Sequence, residues 1–114
     1  KNCTYVIHTA SPLPSYVPKD ENELIKPAVN GVLNVFNACI QDGTKIKRVV
    51  FTSSLTTIVG DDYTTDYLYS ENDYALPDKT QPYTKSKILA EKAAWNFVKD
   101  RKEKNLDCFE LVVL

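Results

Sequence analysis

The sequence has no methionine and only one histidine, its three glycines stand far apart, and it lacks any long apolar run. The missing methionine, initiator included, and the absence of a charged-then-apolar leader suggest an interior piece of a longer protein. With His8 alone, and Cys3, Cys39 and Cys108 widely spaced, no zinc-ligand pattern forms. An odd number of cysteines in apolar surroundings suits buried thiols in a reducing, cytoplasmic setting better than a disulfide framework. The longest uncharged stretch, residues 27–41, is broken by Asn30, Gly31, Asn34 and Asn37 and falls short of the ~20 apolar residues that span a bilayer. No excess of charge exists either: 14 basic and 15 acidic side chains leave a net charge of -1. An electrostatic surface for nucleic acid or anionic lipid is therefore not expected, and a small or neutral partner is. Asn2-Cys3-Thr4 matches a glycosylation sequon but leads straight into an apolar strand.

What is present reads as α/β. The 114 residues, 43% hydrophobic, can bury one modest core, so they form one domain or part of one. Residues 4–10 are β-branched and aromatic and end at Ser11-Pro12-Leu13-Pro14, which reads as a buried strand running into a loop. Over residues 21–42 the apolar positions Leu24, Ala28, Val32, Val35, Phe36, Cys39 and Ile40 recur at helical spacing, with Gly43 as a stop. Pro27 lies inside that pattern and should kink the helix or mark its start. Residues 47–52 read as a second buried strand ending at Ser53-Ser54. Residues 55–81 hold Gly60-Asp61-Asp62, four tyrosines and Pro77 without a sustained period, as a long functional loop with short helical turns would. A helix follows over residues 82–104 with Pro82 in its first turn, then a strand over residues 109–114. The order strand, helix, strand, helix, strand implies right-handed crossovers and a parallel sheet covered on both faces.

Tyr83 and Lys87 are four apart on the second long helix, so phenol and ammonium share a face, and such a pair can pass a proton to or from a carbonyl oxygen. By itself the spacing is an ordinary surface pair that chance readily produces. Context adds weight, because Ser53-Ser54 closes a strand whose C-terminal end is where open parallel sheets bind ligands. Capping or turn formation is the plainer role for those serines. His8 is read as structural, Asp61, Asp62, Asp66 and Asp73 as solvated charges, and Tyr63, Tyr67, Tyr69 and Tyr74 as loop packing or the wall of a substrate pocket.

Several runs together resemble the extended short-chain dehydrogenase/reductases, and within them the dihydroflavonol reductase, cinnamoyl-CoA reductase and yeast-type methylglyoxal reductase group. Val6-Ile7-His8-Thr9-Ala10-Ser11-Pro12 looks like the fourth strand and its cofactor-facing loop. Pro27-Ala28-Val29-Asn30-Gly31-Val32 looks like the next helix, and Arg48-Val49-Val50-Phe51-Thr52-Ser53-Ser54 like the fifth strand. Tyr83-Thr84-Lys85-Ser86-Lys87, followed by Ala90-Glu91-Lys92-Ala93-Ala94-Trp95, looks like the active-site helix. The resemblance implies the central part of a Rossmann-like, doubly wound parallel sheet, in one NAD(P)-binding domain cut at both ends. It implies that Tyr83 is the general acid/base, that Lys87 favours the phenolate and holds the nicotinamide ribose, and that Ser54 hydrogen-bonds the carbonyl oxygen. Thr9, Ala10, Ser11, Thr52 and Ser53 would line the cofactor, with NADP(H) favoured and NAD(H) the alternative.

This sequence departs from the family pattern in two places. No G-x-x-G-x-x-G turn is present, which leaves the pyrophosphate anchor upstream. Ala28 stands where related reductases often carry an asparagine. The expected activity is reduction of a small aldehyde, ketone or flavonoid-like carbonyl to an alcohol. The rivals are a nucleotide-sugar epimerase/dehydratase, a hydroxysteroid dehydrogenase, or a dinucleotide-binding relative without catalysis.

Overall fold

Three short runs rich in β-branched residues supply the sheet: β1 (Tyr5–His8), β2 (Arg48–Phe51) and β3 (Glu110–Val113). The computed structural model describes residues 3–13, 15–64 and 66–114; Asn2 of the sequon and Pro14 of the breaker lie outside them. The strands pair in parallel in the order β1-β2-β3, with Val6 opposite Val49 and Val49 opposite Leu111. Between them run α1 (Asn22–Cys39), α2 (Thr56–Val59), a single 3-10 turn (Pro77–Lys79) and α3 (Pro82–Glu103). The loop of residues 55–81 thus contains the short turns expected of it.

Helix α1 continues through Pro27. Its first turn is already fixed ahead of the proline: Ile25 donates to the Glu21 carbonyl and the Asp20 carboxylate accepts from Asn22 N at 2.9 Å. Gly43 is not the helix cap but the φ +78° residue of a turn closed by Thr44 N donating to the Gln41 carbonyl.

Both long helices lie on one face of the sheet, and among the described residues no helix covers the other. Successive right-handed crossovers that step the same way across a sheet put their helices on the same side. Val49, Phe51 and Leu111 accordingly point into a core shared with Ala28, Val32 and Phe36 of α1 and Ala90, Ala94 and Val98 of α3. On the opposite face Tyr5 and Ile7 are 64% and 72% exposed, and Arg48 pairs with Glu110 at 2.7 Å in solvent. Phe36, fully buried, packs edge-on against Phe97 and Phe109 at centroid distances of 5.5 and 4.9 Å, which joins α1, α3 and the entry to β3. Cys39 is buried, Cys108 is half-buried and Cys3 is exposed, so the expectation of three buried thiols fails at Cys3, which precedes β1. Among the described residues no helix is long and apolar enough to cross a membrane.

His8 ends β1 on the covered face, stacked on Phe51 at 5.6 Å, and its Nε2 has no hydrogen-bond partner among the described residues. Burial, and then the Lys87 charge, hold the imidazole below its ordinary value of 6.5.

Two outcomes follow from this packing. Phe36→Ala should lower unfolding free energy by about 3–5 kcal/mol, read as a drop in the denaturant midpoint. Because the unfolded chain binds the His8 proton at a higher pH than the folded one, stability should fall as pH drops below 6.5. His8→Phe, which keeps the stacking surface, should flatten that part of the profile in urea titrations between about pH 7.5 and about pH 5.5.

Candidate active site

Helix α3 opens on Pro82, whose fixed φ suits a first helical position. The preceding Gln81 supplies no side-chain cap; Asp61, 20 residues back in the loop, takes that place. Its carboxylate accepts from Gln81 N at 2.5 Å and from the buried Thr84 hydroxyl at 2.6 Å. Lys85 then reaches Glu21 at 2.9 Å, which ties the first turn of α3 to the start of α1. These contacts set the height and rotation of the helix. Asp61, expected to be a solvated charge, is therefore part of the frame that aims Tyr83.

Tyr83 is half-buried and borders a cavity of about 270 Å³ with Ser15, Tyr16, Val17, Pro18 and Leu24. One turn later Lys87 is only 3% exposed. Its ammonium donates to the Thr52 carbonyl at 3.0 Å and stands 5.3 Å from the centroid of the Phe51 ring. Burial pushes the lysine below its ordinary range, and the negative charge of Glu91 partly opposes that shift. An ammonium group has three donors, and among the described residues one of them finds an acceptor, the Thr52 carbonyl.

At the end of β2, Ser53 is buried and donates its hydroxyl to Glu91. Ser54 is half-buried, and its Oγ accepts from the Thr56 hydroxyl at 2.9 Å and from Thr56 N at 3.3 Å. Glu91, 6% exposed, also accepts from the Tyr74 hydroxyl and from Trp95 Nε1 at 3.4 Å. Burial and the bond to Glu91 push the Tyr74 phenol up to about 12, so it is a donor at neutral pH. Ser53, Ser54, Leu55, Tyr74, Glu91, Trp95 and the β3 residues Leu111 and Val113 border a second cavity, of about 800 Å³.

The structure brings Lys87, Thr52 and Ser53 together at the carboxyl end of the sheet. It opens Tyr83 and Ser54 onto different cavities, the smaller and the larger respectively. Thr9 and Ala10 are exposed and Ser11 half-buried in the loop after β1, beside Thr52, whose N–H donates to the His8 carbonyl at 3.0 Å. Among the loop tyrosines, Tyr74 borders the larger cavity, whereas Tyr67 and Tyr69 stack edge-on at 4.9 Å away from it. Glu91, Asp61 and Thr56 are the residues that reading the sequence overlooked. Glu91 had one usable signal, its position a further turn beyond Lys87 on the same helix.

Comparison with known proteins places this geometry. The Arabidopsis thaliana dihydroflavonol 4-reductase is 38% identical over 117 residues, which cover 96% of this chain and 29% of that protein. The Medicago truncatula cinnamoyl-CoA reductase CAD2 is 41% identical over 113 residues, 94% of this chain and 33% of its own length. The crystal structure of yeast methylglyoxal/isovaleraldehyde reductase Gre2 complexed with NADPH superposes with a TM-score of 0.79 at 30% identity, over 96% of this chain and 34% of that one. The chain thus spans about a third of the length of these relatives. The sequence profile of the 3-beta hydroxysteroid dehydrogenase/isomerase family matches residues 1–105, and to that family, within the extended short-chain dehydrogenase/reductases that its motifs resemble, the chain belongs.

Proposed function

We propose that these 114 residues are the central part of a single NAD(P)-binding Rossmann domain, and that the whole protein is an NADP(H)-dependent reductase of aldehydes, ketones or flavonoid-like carbonyls. The observation that carries this reading is Lys87: a buried ammonium at the carboxyl end of β2 that makes one hydrogen bond among the described residues, which leaves two donors. Paired hydroxyls, such as those of a nicotinamide ribose, match such a group. The surroundings also fit a dinucleotide edge, since Thr9, Ala10 and Thr52 present small, exposed residues where the β1 and β2 ends meet.

When bound, the nicotinamide supplies the hydride. The chain's own residues then handle the oxygen and its proton. Ser54 donates a hydrogen bond to the carbonyl oxygen as negative charge builds on it, and Tyr83 delivers the proton that completes the alcohol. Lys87 holds the ribose hydroxyls. Relatives described as dihydroflavonol, cinnamoyl-CoA and methylglyoxal reductases support carbonyl reduction, and the Gre2 complex with NADPH supports the phosphorylated cofactor. A hydroxysteroid dehydrogenase is the second reading, favoured by the description of the matching family. A steroid alcohol oxidised faster than any small carbonyl is reduced would select it.

Tyr83→Phe in the full-length protein should lower carbonyl reduction by about a hundredfold or more while NADPH binding, followed by fluorescence, changes little. Wild-type turnover by that variant would sink the assignment. Residues 1–114 alone should show no NADPH oxidation with any carbonyl, because the glycine-rich pyrophosphate anchor is not among them. Measurable oxidation by the purified fragment would contradict that.

A further inference from the structure

Ser54 differs from the other hydroxyls of the site in the direction of its hydrogen bonds. Ser53 gives its proton to Glu91, Tyr74 gives its proton to the same carboxylate, and Thr57 gives its proton to the Ser54 carbonyl at 2.8 Å. Ser54 Oγ instead receives, from Thr56 Oγ1 at 2.9 Å and from Thr56 N at 3.3 Å. A hydroxyl oxygen accepts two hydrogen bonds and donates one. With both accepting positions taken by Thr56, what remains to Ser54 is its proton, and among the described residues nothing accepts it. Ser54 lies on the wall of the cavity of about 800 Å³.

We propose that Thr56 is a positioning residue, which holds Ser54 as a hydrogen-bond donor towards the substrate oxygen. This rests on the reductase reading, in which that oxygen gains negative charge during hydride transfer. Two effects act in the same direction. The Thr56 hydroxyl blocks the rotamers in which Ser54 would accept from substrate or water, so the donor is aimed before the substrate arrives. Accepting a hydrogen bond also polarises the Ser54 O–H and makes it a stronger donor. The geometry is local and inexpensive: Thr56 starts α2 only two residues after Ser54, so the short helix carries its hydroxyl back onto the serine. Thr57, 2% exposed and bonded to the Ser54 carbonyl, fixes the backbone of the same turn independently. Removing the Thr56 hydroxyl therefore leaves the turn in place and frees only the serine side chain.

The test is a double-mutant cycle in the full-length protein, with a carbonyl substrate that the wild type reduces. Thr56→Val keeps the side-chain shape and the backbone N–H. It should lower kcat about tenfold, the size of one transition-state hydrogen bond, with KM for the carbonyl and the dissociation constant for NADPH nearly unchanged. Thr56→Ser should restore most of the rate. In a Ser54→Ala background, Thr56→Val should have no further effect. Wild-type kcat in Thr56→Val, failure of Thr56→Ser to restore it, or an equal loss in the Ser54→Ala background would overturn the inference. If Ser54→Ala itself reduces the carbonyl as fast as the wild type, the reductase reading of Ser54 falls and this inference with it. An impaired Ser54→Ala beside a fully active Thr56→Val overturns this inference alone.

Discussion

Lys87 places an ammonium group where water does not reach it, and much of the site's geometry follows from that placement. Removing such a charge from water carries a penalty of several kcal/mol, and a hydrogen bond from a charged donor returns about 1.5–3 kcal/mol. The bond to the Thr52 carbonyl and the Phe51 ring face therefore offset only part of the cost. The rest must come from packing elsewhere on α3, where Ile88, Ala90, Ala94 and Val98 are buried against the sheet and α1. The helix cannot rotate to free the lysine without opening that core.

The same helix distributes its polar groups by rotation. Tyr83, Lys87 and Glu91 are successive residues at a spacing of four, and at 3.6 residues per turn each step advances the face by about 40°. Tyr83 therefore meets the loop after β1, Lys87 meets the end of β2, and Glu91 meets Ser53 and the long loop. One rigid element thus addresses both cavities. Its orientation is set from outside by Asp61 and Glu21, two carboxylates distant in sequence that hold its first turn.

That division explains what could be read in advance. Strands, long helices and the strand-end serines were legible because period 2, period 3.6 and breakers are local signals, and β1, β2, β3, α1 and α3 stand where those signals put them. That both long helices share one face was not legible, since it depends on the direction in which successive strands step, which no single run encodes. The frame role of Asp61 was hidden for a similar reason. It sits beside Asp62 in a polar loop, and its partners Gln81 and Thr84 come close only when the loop folds back. Tyr83, Lys87 and Ser54 could be named as candidates from residue type and context, but the sequence could not say that tyrosine and serine border different cavities.

Glu91 and Lys87 are one turn apart with opposite charge, the arrangement that elsewhere on α3 gives Lys99 an ion pair with Glu103 at 3.8 Å. Among the described residues, no such pair within 4.0 Å involves Lys87. Glu91 is satisfied instead by three neutral donors, from Ser53, Tyr74 and Trp95, which come from three different parts of the chain. Had the carboxylate closed on the lysine, it would have left the Ser53 and Tyr74 hydroxyls without a buried acceptor. Engaged as it is, Glu91 still acts on Lys87 through space and opposes the downward push of burial. The three neutral donors are therefore what keeps the Glu91 carboxylate off the lysine.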